Sequence, residues 1–281
     1  MRASLLQIAV NPAESPDSRR LRVADLVREQ SGADFVVLPE LWPVGAFAFE
    51  SFAAEAEPLD GPTHEAMAKA ASDAAVWLHA GSIVERAPDG SLYNTSLVFS
   101  PEGERVAVYR KIHRFGFDKG EAVLMAAGEQ PVTVDLPAAT VGLATCYDLR
   151  FPELFRALTD AGAQLLVIPA GWPERRRAHW TLLAQARAVE NQSYVLACGT
   201  AGTHAGVQQA GHSIVVDPWG EVLAEAGADE QVLTVELDPS LVARTREQFP
   251  ALKDRRLGLA PPSLSPAQSP LSSAQSPQHR S

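Results

Sequence analysis

Short apolar runs bounded by turn residues recur along the chain and alternate with longer amphipathic stretches. Ser4 to Val10 and Phe35 to Leu38 have strand length. Between them, Ser15-Pro16 has the form of an N-cap followed by proline at the first helical position, which predicts a helix to about Gln30, ended by Ser31-Gly32. Leu41 to Asp60 has no clear period and reads as a loop. Its aromatics, Trp42, Phe47, Phe49 and Phe52, suit either packing or the lining of a pocket. Gly61-Pro62-Thr63 opens a helix to about Ala75. Val76 to Glu85 and Ser91 to Ser100 then read as two strands joined at Pro88-Asp89-Gly90.

Val106 to Arg110, Val132 to Asp135 and Thr140 to Ala144 are further strands, with a glycine-bearing loop at Phe115 to Glu121. The alternation then repeats: a helix from Phe151 to Ala161, a strand from Leu165 to Ile168, a loop from Pro169 to Glu174, a helix from Arg176 to Asn191 and a strand from Ser193 to Cys198. Three late strands fall near Ser213, Leu223 and Val235, and Asp238-Pro239 repeats the cap-plus-proline pattern before a helix to Gln248. Alternating strands and helices predict an α/β protein, and the hairpins rule out an all-parallel sheet. A core of two mixed sheets with helices outside fits this order. Residues 258–281 are dominated by Pro, Ser, Gln and Ala; they offer too little apolar surface to offset ordering entropy and are expected to be a disordered tail.

Composition narrows the function. The 281 residues are 46% hydrophobic, enough for a large core. A net charge of −10 is opposite to the basic footprint of nucleic-acid binders. No apolar run is long enough to cross a bilayer, and the N-terminus lacks a signal-peptide apolar region with a cleavage site. Two cysteines, Cys146 and Cys198, make no disulfide framework, so a reducing, cytoplasmic setting is expected. The seven histidines form no HExxH, and CxxC, GxGxxG and P-loop patterns are missing, so neither a metal nor a nucleotide cofactor is indicated.

The chemistry concentrates in Val141 to Leu154, an apolar strand that breaks at Cys146 and resumes as a helix at Pro152. Cys146 thus sits at the carboxyl end of a strand, before a helix N-terminus, where ligands bind in α/β sheets and where thiolates form more easily. Taken alone, a single cysteine after a strand is more often a buried apolar thiol. Two other strand ends change that balance: Phe35 to Leu38 runs into Glu40, and Val106 to Arg110 into Lys111. A carboxylate, a cation and a thiol at three strand ends make a constellation for nucleophilic catalysis.

That order resembles the nitrilase, or carbon–nitrogen hydrolase, superfamily. The matching segments are LPELW around Glu40, YRKIH around Lys111, TCYDLRFPEL around Cys146, Ala178 to Val195, and Gly211 to Glu225. They span roughly Leu5 to Leu257 and appear in the family's order. The resemblance implies a four-layer αββα sandwich over residues 1–257, pairing across helices into a homodimer or larger homo-oligomer. It also implies a Glu40–Lys111–Cys146 triad that hydrolyses amides through a cysteine thioester. Cys146 would attack the carbonyl. Glu40 would take the thiol proton, pass it to the departing ammonia and activate water. Lys111 and the backbone N–H of Tyr147 would hold the oxyanion, and Lys111 would favour the thiolate.

The family's second glutamate matches Glu121, with Glu129 as the competitor. Arg150 suits either a substrate carboxylate or a structural ion pair. Trp172 follows a strand at the same sheet edge and faces the pocket in one reading. His179 reads as packing or capping, Arg175-Arg176-Arg177 as a solvated face from which one arginine could steer an acidic substrate, and Cys198 as a core thiol. Cys-Tyr-Asp is unlike the Cys-Trp-Glu of nitrile-cleaving members. CYDLRFPEL, AGWPERRRAHW and RAVENQSYV look like the branch of omega-amidases and deaminated glutathione amidases, which implies a small carboxylate-bearing amide as substrate. N-carbamoyl amino acid or aliphatic amide hydrolysis is the alternative chemistry, and an inactive binding scaffold the alternative outside enzymes.

Overall fold

The computed structural model describes residues 1–257, so the tail from 258 onward lies outside the described residues. The first half supplies β1 (Arg2–Gln7), α1 (Pro16–Arg28), β2 (Phe35–Val37), α2 (Phe52–Glu55), α3 (Pro62–Ala74), β3 (Trp77–Arg86), β4 (Leu92–Phe99) and β5 (Arg105–Arg110). The second supplies α4 (Glu121–Leu124), β6 (Val132–Leu136), β7 (Ala139–Leu143), α5 (Pro152–Asp160), β8 (Leu165–Ala170), α6 (Arg177–Asn191) and β9 (Tyr194–Gly199). A small hairpin of β10 (Thr203–His204) and β11 (Val207–Gln208) follows, then β12 (Ile214–Val216), β13 (Val222–Glu225), β14 (Gln231–Glu236) and α7 (Ser240–Gln248).

Two six-stranded mixed sheets result, ordered β14-β1-β2-β3-β4-β5 and β13-β12-β9-β8-β7-β6. Their pairing follows one scheme. In each, three consecutive strands run parallel (β1-β2-β3 and β7-β8-β9), with one antiparallel strand on one side and two on the other. The central strands are buried on both faces, which is why they read as unbroken apolar runs rather than alternating ones. Successive residues nevertheless point to opposite sides. Leu5, Val37, Leu143, Val167 and Leu196 fill the space between the sheets. Leu6, Val36 and Leu78 face outward onto α1 and α3 residues such as Val23, Val27, Met67 and Ala70. Leu166, Val195 and Ile214 face α5 and α6 through Phe155, Leu158, Trp180 and Ala184. The arrangement is the four-layer sandwich, helices outside.

The caps behave as their residue types dictate. Ser15 Oγ accepts from the Ser18 N–H, Pro16 opens α1, and Pro152 opens α5. Two differences from the sequence reading bear on the site. The segment Leu41 to Asp60, expected as plain loop, contains a 3₁₀ turn at Phe49–Ser51 and the short α2. The β10–β11 hairpin was not expected, because two-residue strands carry no period.

Candidate active site

Glu40 follows β2 on a turn that is tightly fixed. The Leu41 N–H donates to Ser82 Oγ at 3.0 Å and the Trp42 indole N–H to the Ala80 carbonyl at 2.9 Å. This close approach requires Gly81, since a Cβ there would stand 1.9 Å from the Pro39 carbonyl oxygen, at a φ of +65°. Trp42 and Phe52 therefore belong to the core, whereas Phe47 lines the cleft.

Lys111 continues β5, its backbone N–H donating to the Asn94 carbonyl at 2.8 Å. Its side chain is 1% exposed, and its ammonium lies between two carboxylates, donating to Glu40 Oε1 at 2.6 Å and Glu121 Oε2 at 2.7 Å. Glu121 opens α4 and also accepts from the Phe115 N–H at 2.8 Å. The competing Glu129 lies in a separate depression with Tyr93 and Arg110. Asn94, on β4, completes the cluster: its amide Nδ2 donates to Glu40 Oε1 at 2.8 Å and also to Glu121 Oε1. Glu40 Oε2 accepts from the Gly171 N–H at 2.8 Å. Burial alone would lower the Lys111 pKa, but Glu121 and Glu40 outweigh it and hold the ammonium well above its ordinary value. The cation that two facing carboxylates need is supplied by this side chain. With two of its three protons engaged, Lys111 keeps the third for the cleft.

Cys146 opens a 3₁₀ turn, Cys146–Arg150, rather than the α-helix itself, which starts at Pro152. Its φ is +47°, an unusual backbone for a residue with a side chain. Asp148 holds that turn, accepting from the Thr145 N–H at 2.9 Å, while Thr145 caps it reciprocally. The thiol is 6% exposed and donates to the Gly171 carbonyl at 3.7 Å.

Lys111 favours the thiolate, as the sequence suggests, but it does not prevail. Burial, and then the Glu40 carboxylate, push the Cys146 thiol well above its ordinary value, and Lys111 only partly opposes them. Two carboxylates beside one ammonium leave no net positive field to stabilise sulfur anion. The neutral thiol is thereby favoured and needs a base, and Glu40 lines the same cleft.

Glu40, Lys111, Glu121 and Cys146 share one cleft with Tyr147, Arg150 and Trp172, the full set of site residues expected from the sequence. Phe47, one of the aromatics that suited a pocket lining, and Arg176, from the arginine run, line it too, as do Phe115, Gly171 and Pro173, which were not singled out. Phe47 and Phe115 meet edge to face, as do Phe115 and Tyr147, giving the mouth an aromatic rim. Arg150 lies with its guanidinium carbon 4.8 Å from the Trp172 ring centre and makes no ion pair among the described residues, against its structural ion-pair reading. Cys198 is a core thiol donating to the Leu6 and Val37 carbonyls. Asn94 escaped notice because a lone amide inside a strand reads as an outward-facing polar position.

Comparison with known proteins gives a consistent result. A family model described as carbon-nitrogen hydrolase matches residues 2–247. A 2-oxoglutaramate amidase of Paenarthrobacter nicotinovorans is 42% identical over 258 residues, covering 89% of this chain and 88% of its own. An omega-amidase, NIT2-A, of Xenopus laevis is 38% identical over 268 residues, with 91% and 95% covered. A Saccharomyces cerevisiae protein of branch 10 of the nitrilase superfamily superposes with a TM-score of 0.83 at 32% identity, covering 92% of this chain and 97% of that one. A mutant amidase from Nesterenkonia sp. AN1, with the acetamide moiety of fluoroacetamide covalently added at its active site cysteine, gives a TM-score of 0.80 at 27% identity over 91% and 94%.

Proposed function

The chain belongs to the carbon–nitrogen hydrolase family, and we propose that within it the protein is an omega-amidase acting on the terminal amide of 2-oxoglutaramate or a close analogue. The enzyme is a hydrolase of linear amides. The proposal concerns its substrate and the roles of its residues. The observation that carries it is the Lys111 ammonium held between Glu40 and Glu121 in the same cleft as Cys146.

In the proposed reaction, Glu40 takes the Cys146 proton as sulfur attacks the amide carbon. The resulting oxyanion is held by the third Lys111 N–H and by the Tyr147 N–H, the second of the 3₁₀ turn and one of those at its start that have no partner within it. Glu40 passes its proton to nitrogen, the C–N bond breaks, and ammonia leaves a thioester. Glu40 then deprotonates a water that attacks the thioester; the C–S bond breaks, sulfur regains a proton, and a carboxylic acid departs. Glu121 and Asn94 act on Lys111 and Glu40, fixing both, rather than exchanging the proton. Arg150 receives the substrate carboxylate and Trp172 backs it.

We assign residues 1–257 to the catalytic domain and the protein to the cytoplasm, in keeping with its free cysteines. Among the described residues no helix is long and apolar enough to cross a membrane. A homodimer paired across α6 is part of the proposal, supported by Leu182 and Val189, exposed on that helix at 66% and 52%. Light scattering on the purified chain tests it.

The decisive experiment measures ammonia release from 2-oxoglutaramate, succinamate, an N-carbamoyl amino acid and a simple aliphatic amide, for wild type and Cys146→Ser. Cys146-dependent turnover of the first two is expected. Turnover of only one of the others would keep the chemistry and overturn the substrate, and none at all would favour a binding scaffold.

A further inference from the structure

Three consecutive arginines lead into α6, the third opening it, and they have three different fates. Arg175 is exposed, and the exposed Arg177 reaches Glu225 at 3.7 Å. Arg176 turns into the catalytic cleft, its guanidinium carbon 5.4 Å from the centre of the Phe115 ring. Its backbone is pinned at both ends: the Arg176 N–H donates to the Pro173 carbonyl at 2.9 Å, and the Arg176 carbonyl accepts from the Trp172 indole at 2.8 Å.

We propose that Arg176 acts with Arg150 as a two-guanidinium clamp for the carboxylate and adjacent keto oxygen of a 2-oxo acid, and that Arg176 makes the enzyme reject the corresponding 2-amino acid amide. This rests on the omega-amidase reading and names a specificity residue within it.

The charge pattern carries the argument. This is an acidic chain, with 34 Asp and Glu against 24 Lys and Arg. Many of its arginines have carboxylate partners, among them Arg19, Arg22, Arg28, Arg110 and Arg187. Arg150 and Arg176 have none among the described residues, yet both line the cleft. The two carboxylates in that cleft, Glu40 and Glu121, already share Lys111. The site therefore holds two guanidiniums without an ion-pair partner next to the reacting groups, and one net positive charge once Glu40, Glu121 and Lys111 are counted.

Their mutual influence is visible as well. Burial first, then Arg175 and Arg150, hold Arg176 below its ordinary value, although a guanidinium stays charged. Arg150 is turned toward its place by Trp172 and by His179, whose Nδ1 lies 3.3 Å from Arg150 Nη2. A guanidinium only donates, so that ring nitrogen is the acceptor and leaves the other donors of Arg150 free.

Two planar forks offer more N–H groups than one carboxylate needs. A neighbouring keto oxygen uses the surplus. An ammonium in the same position would face two guanidiniums, while both cleft carboxylates are turned to Lys111, so the repulsion falls on the amino acid and not on the keto acid.

The test compares Arg176→Gln, Arg176→Lys and the exposed-neighbour control Arg175→Gln on 2-oxoglutaramate, glutamine and pentanamide, with circular dichroism to verify folding. Arg176→Gln is expected to lower kcat/KM for 2-oxoglutaramate about 10- to 100-fold, mainly through KM, the range for one charge-assisted hydrogen-bonded contact. It should lose far more on that substrate than on pentanamide and narrow the preference over glutamine at least tenfold, with Arg176→Lys in between. If Arg176→Gln matches Arg175→Gln, or loses 2-oxoglutaramate and pentanamide in equal proportion, the clamp is wrong while the omega-amidase reading stands. If wild type hydrolyses pentanamide but not 2-oxoglutaramate, both fall.

Discussion

Asp148 and His113 are joined twice: the Asp148 carboxylate accepts the His113 backbone N–H at 2.9 Å and lies 2.7 Å from its ring Nδ1. The same carboxylate accepts from Tyr109 Oη at 2.6 Å and from the Thr145 N–H. One buried acid, two residues past the thiol, thus grips the chain two residues before and two residues after Lys111. It fixes the strained turn of Cys146 against the end of β5, while His113 stacks on Phe151 with ring centres 3.7 Å apart.

Asp148→Asn keeps the shape but places a donor among four donors. It is expected to lower kcat by about 100-fold, the scale for a catalytic group displaced by about 1 Å. KM should change far less. His113→Ala, which leaves the backbone bond intact, should cost less than Asp148→Asn. Steady-state kinetics beside thermal melts separate the two effects; a loss of activity fully explained by unfolding at the assay temperature would sink this account.

Asn94 bridges Glu40 and Glu121 through a single NH₂ group. Asn94→Asp removes both hydrogen bonds and adds a third negative charge beside one ammonium. Two outcomes are expected: kcat falls at least 100-fold, and iodoacetamide alkylates Cys146 more slowly at neutral pH because the thiol is pushed still higher. Asn94→Ala, which adds no charge, should fall only about tenfold. Equal losses in the two variants would show that the charge balance around Lys111 is not what Asn94 protects.

The strand ends bearing Glu40 and Cys146 were legible because strands buried on both faces leave apolar runs that stop where a polar residue must turn toward solvent or a site, and Lys111 because it ends the short β-branched run of the edge strand β5. Pro16 and Pro152 marked their helices for the same local reason: each fills a position whose N–H has no partner. What escaped depends on contacts between distant segments. Asn94 meets Glu40 and Glu121 only after β4 pairs with β3 and β5. Arg176 cannot be told from Arg175 and Arg177 until the turn before α6 is built. How strongly Cys146 holds its proton was not legible either, because the sequence displays a helix start and a lysine, but neither the depth of burial nor the carboxylates on either side of that lysine.

Acid stability follows from two buried imidazoles. Burial lowers His79 and His204 from 6.5 to about 4 each, His204 also feeling Arg19. Below pH 6.5 the unfolded chain takes up these protons and the folded chain does not, so stability is lost as pH falls toward 4. At pH 5 the loss is about 2 kcal/mol per histidine. His204→Leu should shrink the difference between urea unfolding free energies at pH 7 and pH 5 by about that amount. An unchanged difference would mean that His204 does not titrate as its burial requires.

Gly171 is where the two halves of the site touch. Its N–H holds Glu40 Oε2 at 2.8 Å, and its carbonyl takes the Cys146 thiol at 3.7 Å. A Cβ at this position would stand 2.4 Å from Ala46 Cβ, closer than real side chains approach. Gly171→Ala must therefore push β8's end away from the loop carrying Ala46, pulling the N–H off Glu40 and the carbonyl off the thiol together. Loss of two positioning contacts predicts a drop in kcat of at least 100-fold. The clash has one identified partner, which makes the cause separable from a general loss of fold. Ala46→Gly alone should be mild, and combined with Gly171→Ala it should recover at least tenfold of the lost kcat, a coupling that two independent sites would not show. If the double variant is no better than Gly171→Ala, the lost activity comes from the altered backbone at residue 171 itself and not from its contact with Ala46.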